Sequence, residues 1–380
     1  MHSQLTPVRL AAAAALALPA LAGAASPGSP PAAQAATARV VTAYVLNGGA
    51  VTPINTATNQ ALTQIPTGGG TYFMVITPNG NKVYANGSDS SGEPVVIPIR
   101  TAINKPGSRI MVAREPNDLA VTPDSKTLYI SDQASGDLIA VSTATNQAVG
   151  GVPAGDTPVA VAITPNGSSG YVANFGDATV TPFTVATNTA GTAIKFSSSD
   201  PIGIAITPDS GTAYVVGFVN GGNTRSVTAI RTATNKALKP IGVGTGTNQG
   251  GANDIAITPD SKTAYVTSNR GVTPINVATN KPGKLIKVPG EAIVITPNGK
   301  TAYVVAGSGT VTPIGTATNK PGKPIHVGTS ANDIAITPNG KTAYVTGALG
   351  VTPISTGTNK PGKLIKIAGG AGLILITRAG

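Results

Sequence analysis

One tetrapeptide, Thr-Ala-Thr-Asn or a close variant of it, recurs eight times along the chain of 380 residues. A repeat with a period near forty residues indicates one supersecondary unit copied along the chain, in which each copy buries its apolar face only against its neighbours. The repeat therefore predicts one large body and not a string of independent domains. The asparagines of the eight copies are Asn59, Asn104, Asn146, Asn188, Asn235, Asn280, Asn319 and Asn359.

The best-preserved copy predicts four short strands. Residues 254–258, 263–267, 271–276 and 284–288 are rich in small and β-branched residues, and turn sequences of the Pro-Asp-Ser and Pro-Gly type separate them. No helical period is present in the repeat. Four antiparallel strands per repeat, here named A to D with A innermost, are typical of a β-propeller blade.

Counting strands by type predicts how many blades there are. The tyrosine of strand B occurs eight times, whereas the Thr-Pro turn after strand A occurs seven times. Residues 40–65 lack a strand A, and residues 373–377 form a strand A without a following strand B. We therefore predict an all-β, eight-bladed propeller of four-stranded antiparallel blades over residues 39–380, closed by pairing the C-terminal strand with the N-terminal blade. Seven blades are the alternative. The tyrosines are Tyr44, Tyr84, Tyr129, Tyr171, Tyr214, Tyr265, Tyr303 and Tyr344.

Two recurring elements resemble a known family. Tyr171-Val172-Ala173-Asn174, Tyr265-Val266-Thr267-Ser268 and the Ile-Thr-Pro-Asp/Asn turns are similar to the YVTN-type β-propeller repeat of bacterial exported proteins and archaeal surface-layer proteins. The resemblance covers roughly residues 40–377 and implies a propeller in an exported protein. Eight units depart from the seven blades usual in that family. Because the family has no single activity, the resemblance implies no catalytic residue.

The N-terminal segment predicts export. Arg9 precedes an apolar stretch at residues 10–21, and Ala22-Gly23-Ala24 offers a cleavage site, so residues 1–24 read as a signal peptide and residues 25–38 as a flexible leader. The apolar stretch is too short to span a membrane. The chain has no cysteine, which excludes disulfides and a lipid-anchored cysteine. We expect a secreted or cell-wall-associated monomer without a membrane span.

Catalytic residue types are scarce. Beyond the predicted signal peptide the only histidine is His326, expected on an outer strand D, and the chain has no cysteine and no tryptophan. This composition does not favour a nucleophilic site, a transition-metal site, a haem site or a quinone cofactor site. We predict no cofactor and no enzymatic activity. A small-molecule-binding or lyase or hydrolase propeller, using arginine, tyrosine and carboxylates, is the alternative.

Three A strands begin with an Asn-Asp pair, which we expect near one mouth of a central channel. Hard oxygen ligands in such a position suit a cation or a polyol. The alternative is that each aspartate binds local backbone at the start of its strand. The six residues of this candidate site are Asn117, Asp118, Asn253, Asp254, Asn332 and Asp333.

Ten of the seventeen lysines are expected to share one face of the ring. In a four-stranded antiparallel blade the A–B and C–D turns leave the same side, and the formal net charge is +11. The face predicts a scaffold that binds a protein or an anionic cell-wall polymer; the alternative is that lysines only keep the turns soluble. Aromatic residues are too few to stack bases, so specific nucleic-acid recognition is not expected. The candidate basic face comprises Lys82, Lys126, Lys262, Lys300 and Lys341 in A–B turns, and Lys105, Lys236, Lys281, Lys320 and Lys360 in C–D turns.

The repeated aromatic and amide side chains are expected to be structural. The strand B tyrosine should fill the space between blades as a large amphipathic core residue. The asparagine of the tetrapeptide should adopt the left-handed conformation in the C–D turn and cap that hairpin.

Overall fold

The computed structural model describes residues 40–111, 113–196, 199–219, 225–243 and 251–377. These residues form eight antiparallel sheets, each built from strands A, B, C and D in that spatial order. The described residues contain no helical segment with the length and hydropathy needed to traverse a bilayer. The predicted signal peptide and leader lie outside the described residues and stay predictions.

The strands follow the repeat in every blade. Strand A of blades 1 to 8 spans Ile374–Ile376, Thr71–Ile76, Pro116–Val121, Pro158–Ile163, Ser199–Ile206, Ile255–Ile257, Ala292–Ile295 and Ile334–Ile336. Strand B spans Thr42–Leu46, Lys82–Ser88, Thr127–Asp132, Ser169–Asn174, Thr212–Val219, Thr263–Ser268, Thr301–Ala306 and Thr342–Gly347. Strand C spans Ala50–Asn55, Pro94–Arg100, Asp137–Ser142, Thr179–Thr184, Arg225–Arg231, Gly271–Asn276, Thr310–Gly315 and Gly350–Ser355.

Strand D is short, and in most blades it is interrupted. It begins with Gln60–Ala61, Lys105–Pro106, Ala148–Pro153, Thr189–Ala190, Lys236–Ala237, Lys281–Pro282, Lys320–Pro321 and Lys360–Pro361. After a short break it pairs again at Ile65–Pro66, Ile194–Lys195, Ile325–His326 and Ile365–Lys366 in blades 1, 4, 7 and 8. In blades 2, 5 and 6 it pairs again through single bridges at Ile110, Ile241 and Ile286.

A proline in strand C accounts for the interruption. In blade 6 the Gly283 N–H donates to the Pro274 carbonyl at 2.7 Å, but proline has no N–H to return the bond. Six blades carry proline at this position. Blade 3 has Ala140 instead and keeps a continuous strand D of six residues. Blade 5 also has alanine there, but its own strand D contains Pro240. The outermost strand is therefore short or broken in seven of the eight blades, and short edge strands are poor templates for pairing with another sheet.

The ring is closed by strands from both ends of the chain. The A strands of successive blades contact one another all the way round, including the contact between blades 8 and 1. Strand A of blade 1 is Ile374–Ile376, which pairs antiparallel with Thr42–Leu46 so that Tyr44 lies opposite Leu375. The Thr42 N–H also donates to the Thr377 hydroxyl at 2.9 Å. Both the eight-blade prediction and the predicted closure are confirmed.

The core lies between the blades. Each strand B tyrosine is at most 1% exposed. In one cluster Tyr84 of blade 2 packs with Leu119 and Leu128 of blade 3, and similar clusters fill the other seams. The tyrosines are therefore core residues that bury surface on two blades at once, as predicted.

Candidate functional site

Each buried tyrosine also links its blade to the next one through a hydrogen bond. Its phenol donates to the side-chain oxygen of the tetrapeptide asparagine in the following blade, with O–O distances of 2.5 to 3.0 Å. The last link runs from Tyr344 to Asn59 and closes the ring. Burial raises the pKa of Tyr171 and Tyr344 to about 12, which keeps these phenols protonated as donors.

The tetrapeptide asparagines adopt the left-handed backbone conformation that the sequence predicts, but their side chains do more than cap the turn. Their φ angles are all positive, between 49° and 58°, and asparagine tolerates this region better than most residues. The side-chain oxygen, however, accepts a hydrogen bond from the neighbouring blade. The sequence shows tyrosine and asparagine in every copy but not that they are partners, since Tyr265 and Asn319 are 54 positions apart.

The A–B and C–D turns lie together on one side of the ring, which we call the turn face. In five copies the first threonine of the tetrapeptide donates to an A–B turn carbonyl of its own blade, as in the bond from the Thr316 hydroxyl to Gly299 at 2.6 Å. Adjacent A–B turns also bind each other: the Asn79 N–H donates to the Ser125 hydroxyl at 3.0 Å. The bond between A–B turns recurs between blades 4 and 5 and between blades 5 and 6, and together these bonds hold the backbone of the turns in place.

The structure places nine of the ten predicted lysines at the surface of the turn face. Lys82 differs because it is half-buried. Its ammonium donates to the Thr143 carbonyl and to the Asn146 side chain in the next blade. Burial, and secondarily the charge of Arg100, lower the pKa of Lys82. Lys82 therefore contributes to the seam between blades, whereas the other nine lysines are exposed to solvent.

The Asn-Asp pairs lie at the start of strand A, towards the opposite side of the ring. The Asp254 carboxylate accepts the Ile255 N–H at 2.7 Å and, with its other oxygen, the N–H of Ile293 in blade 7 at 2.9 Å. The same bond to the next blade recurs at the other two pairs, from Val161 to Asp118 and from Ile374 to Asp333, each at 2.9 Å. Each carboxylate thus connects the A strands of two blades.

The asparagine of the pair extends this connection in two blades. Asn253 donates to the Gly290 carbonyl at 3.0 Å, and Asn332 donates to the Ala371 carbonyl at 2.9 Å. In both cases the carbonyl lies three residues before the N–H that the aspartate accepts. Asn117 instead donates to the side chain of Gln133 at 3.2 Å. The geometry favours the alternative that these pairs bind backbone, and ligand binding there stays a prediction.

The buried position of Asp118 between two blades shifts the pKa of its carboxyl. Burial raises the pKa of this carboxyl to about 7, although the Val161 and Leu119 N–H groups, which stabilise the ionised form, lower it.

No three His, Asp or Glu side chains converge as a metal site within the described ranges. A cavity of about 40 Å³ between blades 7 and 8, lined by residues that include Ser330, Thr346 and Leu349, has no titratable side chain in its wall.

Calcium distinguishes the two interpretations of the Asn-Asp pairs. Because the Asp254 carboxylate oxygens already accept backbone N–H groups, we expect millimolar calcium to leave the melting temperature unchanged. A bound ion at about 100 times its Kd would add roughly 2.7 kcal/mol to the free energy of unfolding. A rise in melting temperature that disappears in Asp254→Ala combined with Asp333→Ala would establish a cation site. Magnesium serves as the control ion, because it demands a stricter octahedral geometry.

Comparisons with known proteins support the fold. No protein-family model matches the chain, and no curated protein matches it. Hydrazine synthase from Kuenenia stuttgartiensis is similar in structure, with 20% identity over 78% of this chain and 95% of that chain and a TM-score of 0.57. Dihydro-heme d1 dehydrogenase NirN in complex with DHE is 15% identical over 88% of this chain and 74% of that chain, with a TM-score of 0.73. A functionally unknown protein from Desulfotomaculum acetoxidans is 16% identical over 89% and 99% of the two chains, with a TM-score of 0.59.

These likenesses show the β-propeller fold alone, and the resemblance to the YVTN repeat is not matched by a family model. They also correct one expectation. The prediction of a protein without enzymatic activity is wrong, because hydrazine synthase and the dihydro-heme d1 dehydrogenase are enzymes with similar propellers. The physical reason is that a propeller is a framework, and its chemistry depends on the side chains and groups mounted on it. At these identities no particular activity transfers to this chain.

Proposed function

We propose that the protein is an exported scaffold that binds anionic polymers of the cell envelope through the lysines concentrated at its turn face. The observation that supports this function is that nine exposed lysines lie on turns whose backbone is held by hydrogen bonds within and between blades. Long lysine side chains on a rigid ring present positive charge without a shaped pocket. Such a surface suits a partner recognised by charge.

The distribution of acidic residues strengthens the proposal. Only three of the fifteen acidic residues, Asp124, Asp209 and Asp260, lie in A–B or C–D turns. Two of them pair with a lysine of their own turn, with N–O distances of 3.7 Å. The remaining acidic residues lie in or beside the B–C and D–A loops. The ring is therefore electrically polarised, and an anionic polymer is drawn to one side of it.

Salt dependence tests the proposal. We expect the chain from residue 39 onward to be retained on an anionic polysaccharide matrix in dilute buffer and to elute as salt rises, because the Debye length falls from about 30 Å at 0.01 M to about 8 Å at 0.15 M. A neutral matrix of the same polymer backbone is the control. Absence of retention at low salt would refute the proposed function. Retention that is indifferent to salt would remove electrostatics as its cause.

A further inference from the structure

Three adjacent blades carry a basic residue at every third position of their outermost strand. The positions begin at the C–D turn and continue along strand D across its break. Eight of the nine residues are lysines, and the ninth is His326. We call this set the lysine wall: Lys281, Lys284 and Lys287 in blade 6, Lys320, Lys323 and His326 in blade 7, and Lys360, Lys363 and Lys366 in blade 8.

The lysine wall is exposed and has no acidic residue along its strands. All nine side chains are solvent-exposed. Glu291 is the only acidic residue between Asp260 and Asp333, and no acidic residue follows Asp333 in the sequence. Glu291 precedes strand A, on the inner part of blade 7. Positive charge on the outer strands of these blades is therefore not neutralised within the strands themselves.

The three rows of the wall share one register. In each blade the glycine after the Lys-Pro dipeptide donates its N–H to the strand C proline carbonyl, and all three bonds measure 2.7 Å. The donors are Gly283, Gly322 and Gly362, and the acceptors are Pro274, Pro313 and Pro353. The backbone thus places equivalent lysines at equivalent heights on the ring. Three residues of extended chain span about 10 Å, which is the upper limit for the distance between successive Cα atoms of a row.

The rows of blades 7 and 8 are also close to each other. Ile325–His326 of blade 7 contacts Lys360–Pro361 of blade 8. The wall is a regional feature and not a property of every blade. The corresponding positions are Gln60, Thr63 and Pro66 in blade 1 and Thr189, Thr192 and Lys195 in blade 4.

We infer that the lysine wall is a binding surface for a flexible, linear polyanion of repeating phosphate charges, which crosses the outer strands of blades 6 to 8. The inference rests on the proposed binding of anionic polymers and names the class of polymer and where it lies. Lys281, Lys320 and Lys360 belong both to the turn face and to the wall, so a bound chain continues from one surface to the other.

The curvature of the ring favours a flexible chain over a flat or stiff partner. Eight blades divide the ring, so the outer strands of blades 6 and 8 point about 90° apart. A planar bilayer contacts one row of such a convex wall at a time. Duplex DNA, with a persistence length of about 50 nm, does not bend around it without cost. A flexible chain follows the curve and meets all three rows.

The residue types favour recognition by charge alone. The wall contains no arginine, whose planar guanidinium would bind phosphate in a bidentate geometry, and no phenylalanine, tyrosine or tryptophan on which a base would stack. Lysine binds phosphate as a point charge on a flexible stem. The ligand therefore needs repeated negative charge and no particular base or sugar.

Two variants that lose the same number of positive charges test where on the ring the polyanion binds. The wall variant changes Lys284, Lys287, Lys323, Lys363 and Lys366 to Gln. The matched turn-face variant changes Lys105, Lys126, Lys262, Lys300 and Lys341 to Gln. The probe is long-chain inorganic polyphosphate, and the measurements are its Kd at fixed salt and the slope of log K against log salt. Circular dichroism and the melting temperature of each variant check the fold.

We expect the wall variant to weaken binding by about tenfold or more, and its salt slope to fall by about 0.7 for each lysine that contacts phosphate. The turn-face variant should also lose affinity, but less than the wall variant, because it keeps Lys281, Lys320 and Lys360, which belong both to the turn face and to the wall. Changing the five wall lysines to Arg should restore the affinity, because the charge returns. Equal losses in the two charge-removing variants, or a greater loss in the turn-face variant, would overturn the location while the proposed function survives.

The parent protein and two further ligands test the other claims. If the parent binds neither polyphosphate nor an anionic polysaccharide matrix, the proposed function fails together with the inference. If it binds the matrix but not polyphosphate, only the inference fails. A twenty-base-pair DNA duplex and vesicles containing phosphatidylserine are compared with polyphosphate at equal concentrations of negative charge. Weaker binding of both supports a flexible ligand. Tighter binding of either one would overturn the choice of a flexible chain.

Discussion

Removal of residues 371–380 is expected to destabilise the whole protein, although only ten residues are lost. These residues supply strand A of blade 1. Its loss removes the bonds from the Leu46 N–H to Leu373 and from the Thr377 N–H to Thr42, both 2.9 Å long, and the bond from the Ile374 N–H to Asp333. Leu373 and Ile374 are 7% and 2% exposed. Burial of each such side chain contributes about 1.5–3 kcal/mol, so the total is a large part of an ordinary stability of about 5–15 kcal/mol.

Thermal unfolding and light scattering after gel filtration measure the effect. The truncated chain should melt far below the parent or aggregate, because blades 8 and 2 lose the surface that covers their inner strands. Removal of residues 378–380 alone leaves Thr377 in place and serves as the control. If the longer truncation stays monomeric and melts like the parent, the closing strand is not needed for the stability of the ring.

Asp254→Asn is expected to lower the free energy of unfolding by about 2 kcal/mol or more. The Asp254 side chain is 2% exposed, and its two oxygens accept the N–H groups of Ile255 and Ile293 in different blades. An amide leaves one of these donors facing an NH₂ group. Bonds to a charged acceptor contribute more than neutral ones, and a buried donor without an acceptor is costly. Urea unfolding monitored by circular dichroism gives the difference.

The same chemical change at Asp260 provides a matched control in the same blade. Asp260 lies in an exposed A–B turn, where one carboxylate oxygen accepts the Thr258 hydroxyl and the Lys262 N–H. Blades 7 and 8 have asparagine at this position, and Asn298 accepts the same two bonds. Asp260→Asn should therefore change stability by less than about 0.5 kcal/mol. Comparable losses at the two positions would mean that the bond from Ile293 to Asp254 between blades contributes no more to stability than the bonds within an exposed turn.

The fold was predictable because its determinants repeat within single blades. Period, turn prolines and the strand B tyrosines define the unit, and the unmatched strands at residues 40–65 and 373–377 define how many units close the ring. Interactions between blades were not predictable in the same way. The link from Tyr344 to Asn59 joins positions that are 285 residues apart, and it exists only once the ring brings those positions together.

The candidate sites were likewise predictable within a blade but not between blades. Sequence position placed Asn253 and Asp254 at the start of strand A, and the structure agrees. Residue type alone suggested oxygen ligands for a cation, whereas the described contacts are with backbone of the next blade, including Ile293 and Gly290. Among the turn-face lysines, Lys82 differs from the others because its ammonium reaches Asn146 of blade 3. The sequence pattern of a single blade predicts neither contact, because each depends on the angle between adjacent blades.

Closure by strands from opposite ends of the chain also orders folding in time. Thr42 and Thr377 are bonded to each other across 335 positions of sequence, and contacts of such long range slow folding because chain entropy must be lost before they form. Three strands of blade 1 are synthesised first, yet its innermost strand is synthesised last. Until that strand has been synthesised, blade 1 lacks its innermost strand and the ring cannot close. The final step of folding therefore completes the first blade, and it can take place only after every other blade has been made.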